Sequence, residues 1–444
     1  MLQGLQKKTS PKEFSCMSGT RVLIGLSEVA GHYKGLKLGF ERLGINCTFL
    51  NFSEHPFGFS ADDKVWPVGL VQKMDTRRRN SSRVGSKFIF TVLQFLLQGV
   101  LFFRVLPKHD IFIICANRSF LGFLDVVILK ILGKRVIYQM HGCDSRAPYF
   151  DGAYNQADLL PDSELYRLTR FKKIIIKMTE RFSDLLVNIP PQAHLCEKKY
   201  INWLYIGLCC YPLDYDVEDK TDQNLPDQLR VVHSPSRPEA KGTPIIRDVI
   251  KRLKSRGIDV DYIELIGVDN KTVIEEIRRA DLVIDQVYAD YAMPGFATEA
   301  AWQGKPVLIA GYAVDYWPAW MAKADLPPTC YCHPDSLEEE LYNLATDKDL
   351  REKVGRRMYE FVSERWRPEQ IAQNYLRALD DPPEYWWLDP KENEYFLGCC
   401  INEDRLRIRL KRYLDKYGEA GLRIHDKPLL EKRIFSFFRN ESKL

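Results

Sequence analysis

Short apolar runs and stretches of helical spacing alternate along most of this chain. Arg21–Leu26 (RVLIGL) reads as a buried strand, the stretch after SEVAGHYKG as a helix stopping at Gly44, and Cys47–Asn51 as a second strand. The same order returns with Ile111–Ala116, Phe120–Leu132 and Arg135–Met140, and Leu185–Ile189 reads as another short strand. From Arg230–His233 it starts again. There a helix capped by Thr243, with Pro244 in its first turn, carries Ile245, Ile246, Val249, Ile250 and Leu253 on one face and ends at Gly257. Tyr262–Ile266, Leu282–Asp285 and Pro306–Ala310 follow as strands, separated by helices over Thr272–Ala280 and Ala297–Gln303. Parallel neighbours need crossover helices, so this alternation dictates an α/β fold with helices on both faces of parallel sheets.

The chain has 444 residues, enough for two or three domains of roughly 100–200 residues each. The acidic, proline-bearing stretch 216–228 separates the two strand–helix series and reads as a linker. The division is then a polar leader over 1–19, an N-terminal Rossmann-like domain over 20–215, a C-terminal Rossmann-like domain over 216–380 and a basic extension over 381–444. Residues 55–87 read as irregular and 337–379 as helical. With 45% hydrophobic and 28% charged residues the composition is that of a globular protein. A mean hydropathy of −0.29 and no clean run of about 20 apolar residues argue against a polytopic membrane protein.

A net charge of +4 is too mild to imply nucleic acid, but the cations are clustered. Positions 76–87 hold five and no acid, and 405–444 hold twelve against five acids. Between 88 and 103 the chain is apolar apart from a stripe of Thr91, Gln94 and Gln98. Such a helix belongs in a core or, beside the basic run, on an anionic membrane surface, and it is short for a membrane span. The start, MLQGLQKKTSPKEF, lacks the apolar core of a secretory signal, so the expectation is a cytoplasmic chain, peripheral at the inner membrane face if it meets lipid. The eleven cysteines then read as reduced, with Cys209–Cys210 and Cys399–Cys400 adjacent. Cys330, Cys332 and His333 lack an evident fourth ligand, and no metal is expected.

In open α/β sheets ligands sit beyond the C-terminal ends of strands, which selects the loops after 26, 140, 233 and 285. In HSPSRPEAKGTPII (233–246), Lys241 stands just before a helix N-terminus opened by Gly242 and Thr243. Free amides and the helix dipole favour an anion there, and Arg237 adds a second cation, which suits a diphosphate. The alternative is a solvated lysine beside a glycine turn. In YAMPGFATEAAWQG (291–304), Glu299 falls in a first helical turn, where it either accepts from a ribose diol or stabilises the helix N-terminus. His141, at a strand end before Gly142, faces the cleft to contact a sugar or polarise a leaving group, or is a half-buried structural histidine. Asp144 orients this loop, partnered by Arg146 or a substrate hydroxyl. No Gly-Lys-Ser/Thr phosphate loop and no G-x-G-x-x-G after a strand occurs.

In this order the segments resemble a GT-B glycosyltransferase of the retaining family-four type, the group 1 glycosyl transferases. The resemblance rests on HSPSRPEAKGT, ELIG, RRADLVIDQ, GFATEAAWQGKPV and SERWRPEQIAQNYL, and in the amino half on SEVAGHYKGLKLGFERLG and KRVIYQMHGCDSR, spanning about residues 20–380. It implies two Rossmann-like domains facing across a cleft, here with a C-terminal extension. It implies sugar transfer, with retention, from a nucleotide diphosphate sugar to a glycan or lipid-linked glycan acceptor in cell-surface polysaccharide synthesis, without cofactor or metal. By the same resemblance Lys241 and Arg237, with Gly242 and Thr243, hold the donor diphosphate and Glu299 holds the ribose. The backbone of Gly295, Phe296 and Ala297 approaches the phosphate or sugar, Gly267 lies by the base, and Gly31 admits the donor phosphate. His141 contacts the transferred sugar, with Asp144 beside it as a catalytic candidate.

Two departures stand out. The family often carries two glutamates eight positions apart, and the position eight before Glu299 is Tyr291, with Asp290 one removed. The family's arginine five before the lysine is here Ser236, with Arg237 one later. The missing first glutamate and the basic 405–444 tail motivate a second reading, a GT-B-shaped binding or partner subunit without turnover. An epimerase or phosphorylase on the same scaffold is a third.

Overall fold

Strand β1 (Arg21–Leu26) is buried on both faces from Val22 onward, as a central parallel strand under two helix layers must be. The computed structural model describes residues 19–53, 63–115, 118–155, 160–211 and 228–438. The expected leader and linker lie outside these, apart from residues 19 and 228.

Helix α1 (His32–Arg42) leads to β2 (Asn46–Asn51). The hairpin of α2 (Val68–Asn80) and α3 (Val84–Val105) precedes β3 (Ile111–Cys115). Then come α4 (Leu124–Ile131), β4 (Arg135–Gln139), α5 (Asp162–Phe182), β5 (Leu185–Asn188) and β6 (Tyr200–Asn202). These six strands form a parallel sheet in the order β2-β1-β3-β4-β5-β6. A second parallel sheet holds β7 (Leu229–His233), β8 (Val260–Glu264), β9 (Leu282–Ile284), β10 (Val307–Ala310) and β11 (Cys330–Cys332), ordered β8-β7-β9-β10-β11. Its helices are α6 (Thr243–Ser255), α7 (Asn270–Arg279), α8 (Gly295–Trp302), α9 (Leu337–Thr346) and α10 (Lys348–Arg365). The result is the expected α/β pair of Rossmann-like lobes, a GT-B arrangement.

The chain then returns. Helix α11 (Pro368–Asp380) packs on α1 of the first lobe, so closely that a Cβ at Gly39 would collide with the backbone of Pro368. The Tyr375 hydroxyl on α11 donates to Gln139 Oε1 (2.8 Å) and meets His32 Nε2 at 3.2 Å. Strand β12 (Trp387–Leu388) adds to the first sheet antiparallel to β6. Beyond it, α12 (Glu403–Tyr417) and α13 (Pro428–Phe438) cover the same lobe. Asp162 binds both Arg409 (3.3 Å) and Arg412 (2.8 Å), the Tyr149 hydroxyl donates to the Leu422 carbonyl (2.7 Å), and the buried Lys427 reaches the Cys196 carbonyl. Arg409 and Lys427 of the extension are therefore buried in the molecule, while Arg405, Lys411, Lys416 and Lys432 stay exposed.

Three local expectations need correction. The stretch 55–87 contains α2 and the start of α3: Leu, Gln, Lys, Met and Arg favour helix, but with few apolar positions they leave no clear stripe to read. Helix α3 is not a core helix. Of its residues only Gln94, Leu101, Phe102 and Val105 are buried, while Phe88, Ile89, Leu96 and Phe103 are 57% to 69% exposed. Nor is it short: Val84–Lys108 is, by length and composition, the one helix among the described residues able to cross a membrane. Finally, Thr243 caps nothing. Gly242, at φ 71°, is the N-cap of α6, and the Thr243 hydroxyl turns inward to His233 Nε2 (2.9 Å).

Candidate functional site

In each sheet the strand order reverses direction once, between β1 and β3 and between β7 and β9, which opens a crevice at the strand ends. A cavity of about 360 Å³ lies where the two lobes meet. Glu28, Val29 and Ala30 line it from the first lobe, and the loops after β7, β8 and β9 together with α8 line it from the second.

Lys241 closes the helical turn Pro238–Lys241, and its carbonyl accepts the Val287 N–H (2.9 Å). Gly242 must be glycine, since a Cβ would lie 2.7 Å from that of Val287. This fixes the lysine stem over the end of β9. Its ammonium bonds Gln286 Oε1 and sits 3.6 Å from Asp285 Oδ1. Asp285 is buried. Burial raises its pKa, against the charge of Lys241 and the backbone N–H of Ala297, and its Oδ2 has no hydrogen-bond partner among the described groups.

Glu299 lies in the second turn of α8, not the first, so stabilisation of the helix N-terminus does not explain it. It is 9% exposed, borders the cavity and accepts from Asn270 Nδ2 (2.8 Å). Burial, helped by the charge of Asp285, pushes its carboxyl up to about 8. Leu265, Val268, Val273 and Phe296 supply an apolar wall, with Gly267 at its edge. Gly295 brings α8 against the other lobe, where a Cβ would stand 3.0 Å from that of Ala30. The loop carrying Ala30 is tied by Glu28, whose carboxylate accepts the N–H groups of Val29, Tyr33 and Lys34 at 2.7, 3.1 and 2.9 Å. Gly31, at φ 76°, is the N-cap of α1 next to this loop but does not line the cavity.

Lys241, Gly267, Gly295, Phe296 and Glu299 are thus brought together. Other candidates are not. Arg237 is exposed and outside the cavity, and Ser236 lines it instead. Gly242 and the inward-turned Thr243 are buried beneath it, and Ala297 gives its N–H to Asp285. Asp290 does not replace the missing glutamate: it is buried in an ion pair with the equally buried Arg146 (2.5 Å), which joins the lobes.

His141 stands apart from the cavity. Its Nε2 is 2.7 Å from the Tyr33 hydroxyl, and its ring lies edge-on to Trp203 at 4.7 Å. Burial pulls its pKa down to about 3, so the ring is neutral at physiological pH. With Tyr33 donating to Nε2, the proton sits on Nδ1, which has no partner among the described groups. Asp144 accepts the His141 N–H (2.8 Å) and so shapes the loop. From the second lobe the Tyr291 hydroxyl accepts the Gly142 N–H and donates to Gln192 Oε1, both at 3.4 Å.

Glu28, Asn270 and Asp285 were missed. Asp285 ends the apolar run LVID and Glu28 lies two residues after RVLIGL, which is a usable signal. Asn270 had none, because its partner Glu299 is 29 residues away.

No protein-family model and no curated protein matches this chain. Among solved structures it is similar to WaaG, a glycosyltransferase involved in lipopolysaccharide biosynthesis, at 12% identity and a TM-score of 0.47, over 81% of this chain and 100% of that one. It is similar to Anabaena HepE in complex with UDP at 12% identity and a TM-score of 0.42, over 81% and 99%. For the S. aureus MnaA–UDP co-structure the values are 13%, 0.40, 82% and 98%.

Proposed function

We propose that this chain is a retaining glycosyltransferase that moves a sugar from a nucleotide diphosphate sugar to a glycan or lipid-linked glycan acceptor. The supporting observation is the cavity itself: one ammonium, one carboxyl–amide pair and an apolar wall converge where the ends of two parallel sheets face each other. Lys241 exchanges Gln286 for a donor phosphate and neutralises the charge that builds on the departing diphosphate. Glu299, held by Asn270, accepts the two hydroxyls of the ribose, and Leu265, Val268 and Phe296 flank the base. For His141, which stands apart from the cavity, contact with the transferred sugar rests on the family resemblance alone. Retention rests on the family resemblance.

The test is a screen of nucleotide diphosphate sugars for binding and for release of nucleoside diphosphate with glycan or lipid extracts as acceptor. Release with one donor, lost in Lys241→Ala and Glu299→Ala, is expected. Binding without release favours the non-catalytic reading, which the absence of a carboxylate at Tyr291 and the burial of Asp290 motivate. No binding removes the site.

We infer further that the acceptor lies at the cytoplasmic face of an anionic bilayer, a reading supported by the α2–α3 hairpin. Arg77, Arg78 and Arg79 end α2, the last two paired with Asp75, Arg83 stands in the turn and Lys87 begins α3, whose shaft exposes Phe88, Ile89, Phe95 and Leu96. Each cation near such a surface contributes about 1 kcal/mol, beside the apolar burial. Flotation with vesicles containing anionic lipid checks this, and a chain that stays at the bottom with every lipid composition removes the membrane.

A further inference from the structure

Behind the His141 loop, Cys143 and Asp151, eight residues apart, meet Cys399 from far along the chain and bring sulfur and oxygen together. Cys143 follows β4, Asp151 precedes the short helix Gly152–Asn155, and Cys399 comes from the C-terminal extension. Cys143 Sγ lies 3.8 Å from Cys399 Sγ, and Cys399 Sγ lies 3.3 Å from Asp151 Oδ1. One ligand atom from each falls within 4.8 Å of the others. Two sulfurs bound tetrahedrally to zinc, each about 2.3 Å from the ion, are about 3.8 Å apart, and a sulfur and a carboxylate oxygen about 3.5 Å. The two edges that meet at Cys399, 3.8 and 3.3 Å, are close to those lengths. A disulfide would need the sulfurs at about 2.05 Å.

The backbone is shaped to deliver these groups. Gly398, Cys399 and Cys400 all have positive φ, at 86°, 48° and 66°. The Gly152 N–H donates to the Cys399 carbonyl (2.8 Å), and any side chain at Gly152 would run into the backbone of Cys399 and Cys400. The surrounding cations are already committed: Arg146 pairs with Asp290, and Lys172 bonds the carbonyls of Cys143 and Arg146.

We propose that Cys143, Asp151 and Cys399 form a binding site for a thiophilic divalent ion, zinc in the first place, with the neighbouring Cys400 thiol or a water in the fourth position. Each ligating thiol gives up its proton to solvent as its sulfur binds, so loading is favoured by rising pH. The ion would fasten the extension to the loop that carries His141, independently of what the donor cavity binds.

The test uses the full chain, purified under reducing conditions. Metal analysis should find about one zinc per chain. Cobalt(II) added after chelator treatment should give a thiolate-to-metal charge-transfer band with proton release. Cys143→Ser and Cys399→Ser should each weaken cobalt binding by at least about 10–100-fold, the loss known for outer-sphere partners, and Cys330→Ser should leave it unchanged. A folded wild-type chain with neither retained metal nor the cobalt band overturns the proposal. So does a Cys143–Cys399 disulfide in chain alkylated at lysis, which would make the pair a redox couple. Should the serine variants fail to fold, X-ray absorption of the zinc-loaded wild type decides: two or three sulfur neighbours support the site, and only nitrogen or oxygen neighbours overturn it.

Discussion

Arg237 and Lys241 are four residues apart, and only one of them reaches the cavity. A helix would bring such a pair onto one face, but Arg237 has extended dihedrals (φ −144°, ψ 102°) and stands outside the turn that Lys241 closes. Lys241→Ala is therefore expected to weaken donor binding by about 10–100-fold, the worth of a charge-assisted hydrogen bond, and Arg237→Ala to change it little, both read by calorimetry. Glu299 supplies a pH test. Its folded carboxyl titrates near 8 against an ordinary value of 4.5, so the stability of keeping it neutral is complete below about 4.5 and is lost as pH rises through 8. Glu299→Gln stays neutral and should gain stability relative to wild type across that window in denaturant titrations. Donor binding near pH 7 should release a proton in wild type only. Arg146→Met leaves Asp290 buried without its partner, at an expected cost of about 3–5 kcal/mol, and adding Asp290→Leu should restore much of it. The residue types at the site were legible because strand ends and glycine turns mark loops. Which way each side chain faces was not, since that depends on dihedrals such as those of Arg237.

At the scale of elements, the strands were readable because a strand covered on both faces is almost wholly apolar, as β1 and β10 are. The helices were less so. Helix α2 hid in a run of polar helix formers, and α3 looked like a core helix because apolarity all round does not say what covers it. Phe88→Lys with Leu96→Lys replaces two exposed side chains, so thermal stability should stay within about 0.5 kcal/mol of wild type while flotation with anionic vesicles is lost. Gly242→Ala tests the turn that aims Lys241. With φ at 71° and Val287 in the way, a loss of about 1–3 kcal/mol and weakened donor binding are expected together.

For the whole molecule, the two lobes were visible in the repeated strand–helix order, but the place of the extension was not. Nothing local says that Trp387–Leu388 pairs with Tyr200–Ile201, almost two hundred residues earlier in the chain. A chain ended at 380 would leave β6 as a bare edge and strip Leu406, Leu410 and Tyr413 from the first lobe, so it should aggregate on expression, which sedimentation of the lysate would show.

The return of α11 and β12 to the first lobe also orders biosynthesis. As the polypeptide leaves the ribosome, the sheet from β7 to β11 can assemble from one continuous stretch of sequence, while the sheet begun earlier waits for β12, which is translated after it. The lobe begun first is finished after the second, and a cavity that needs both comes into being only once β12 has been made.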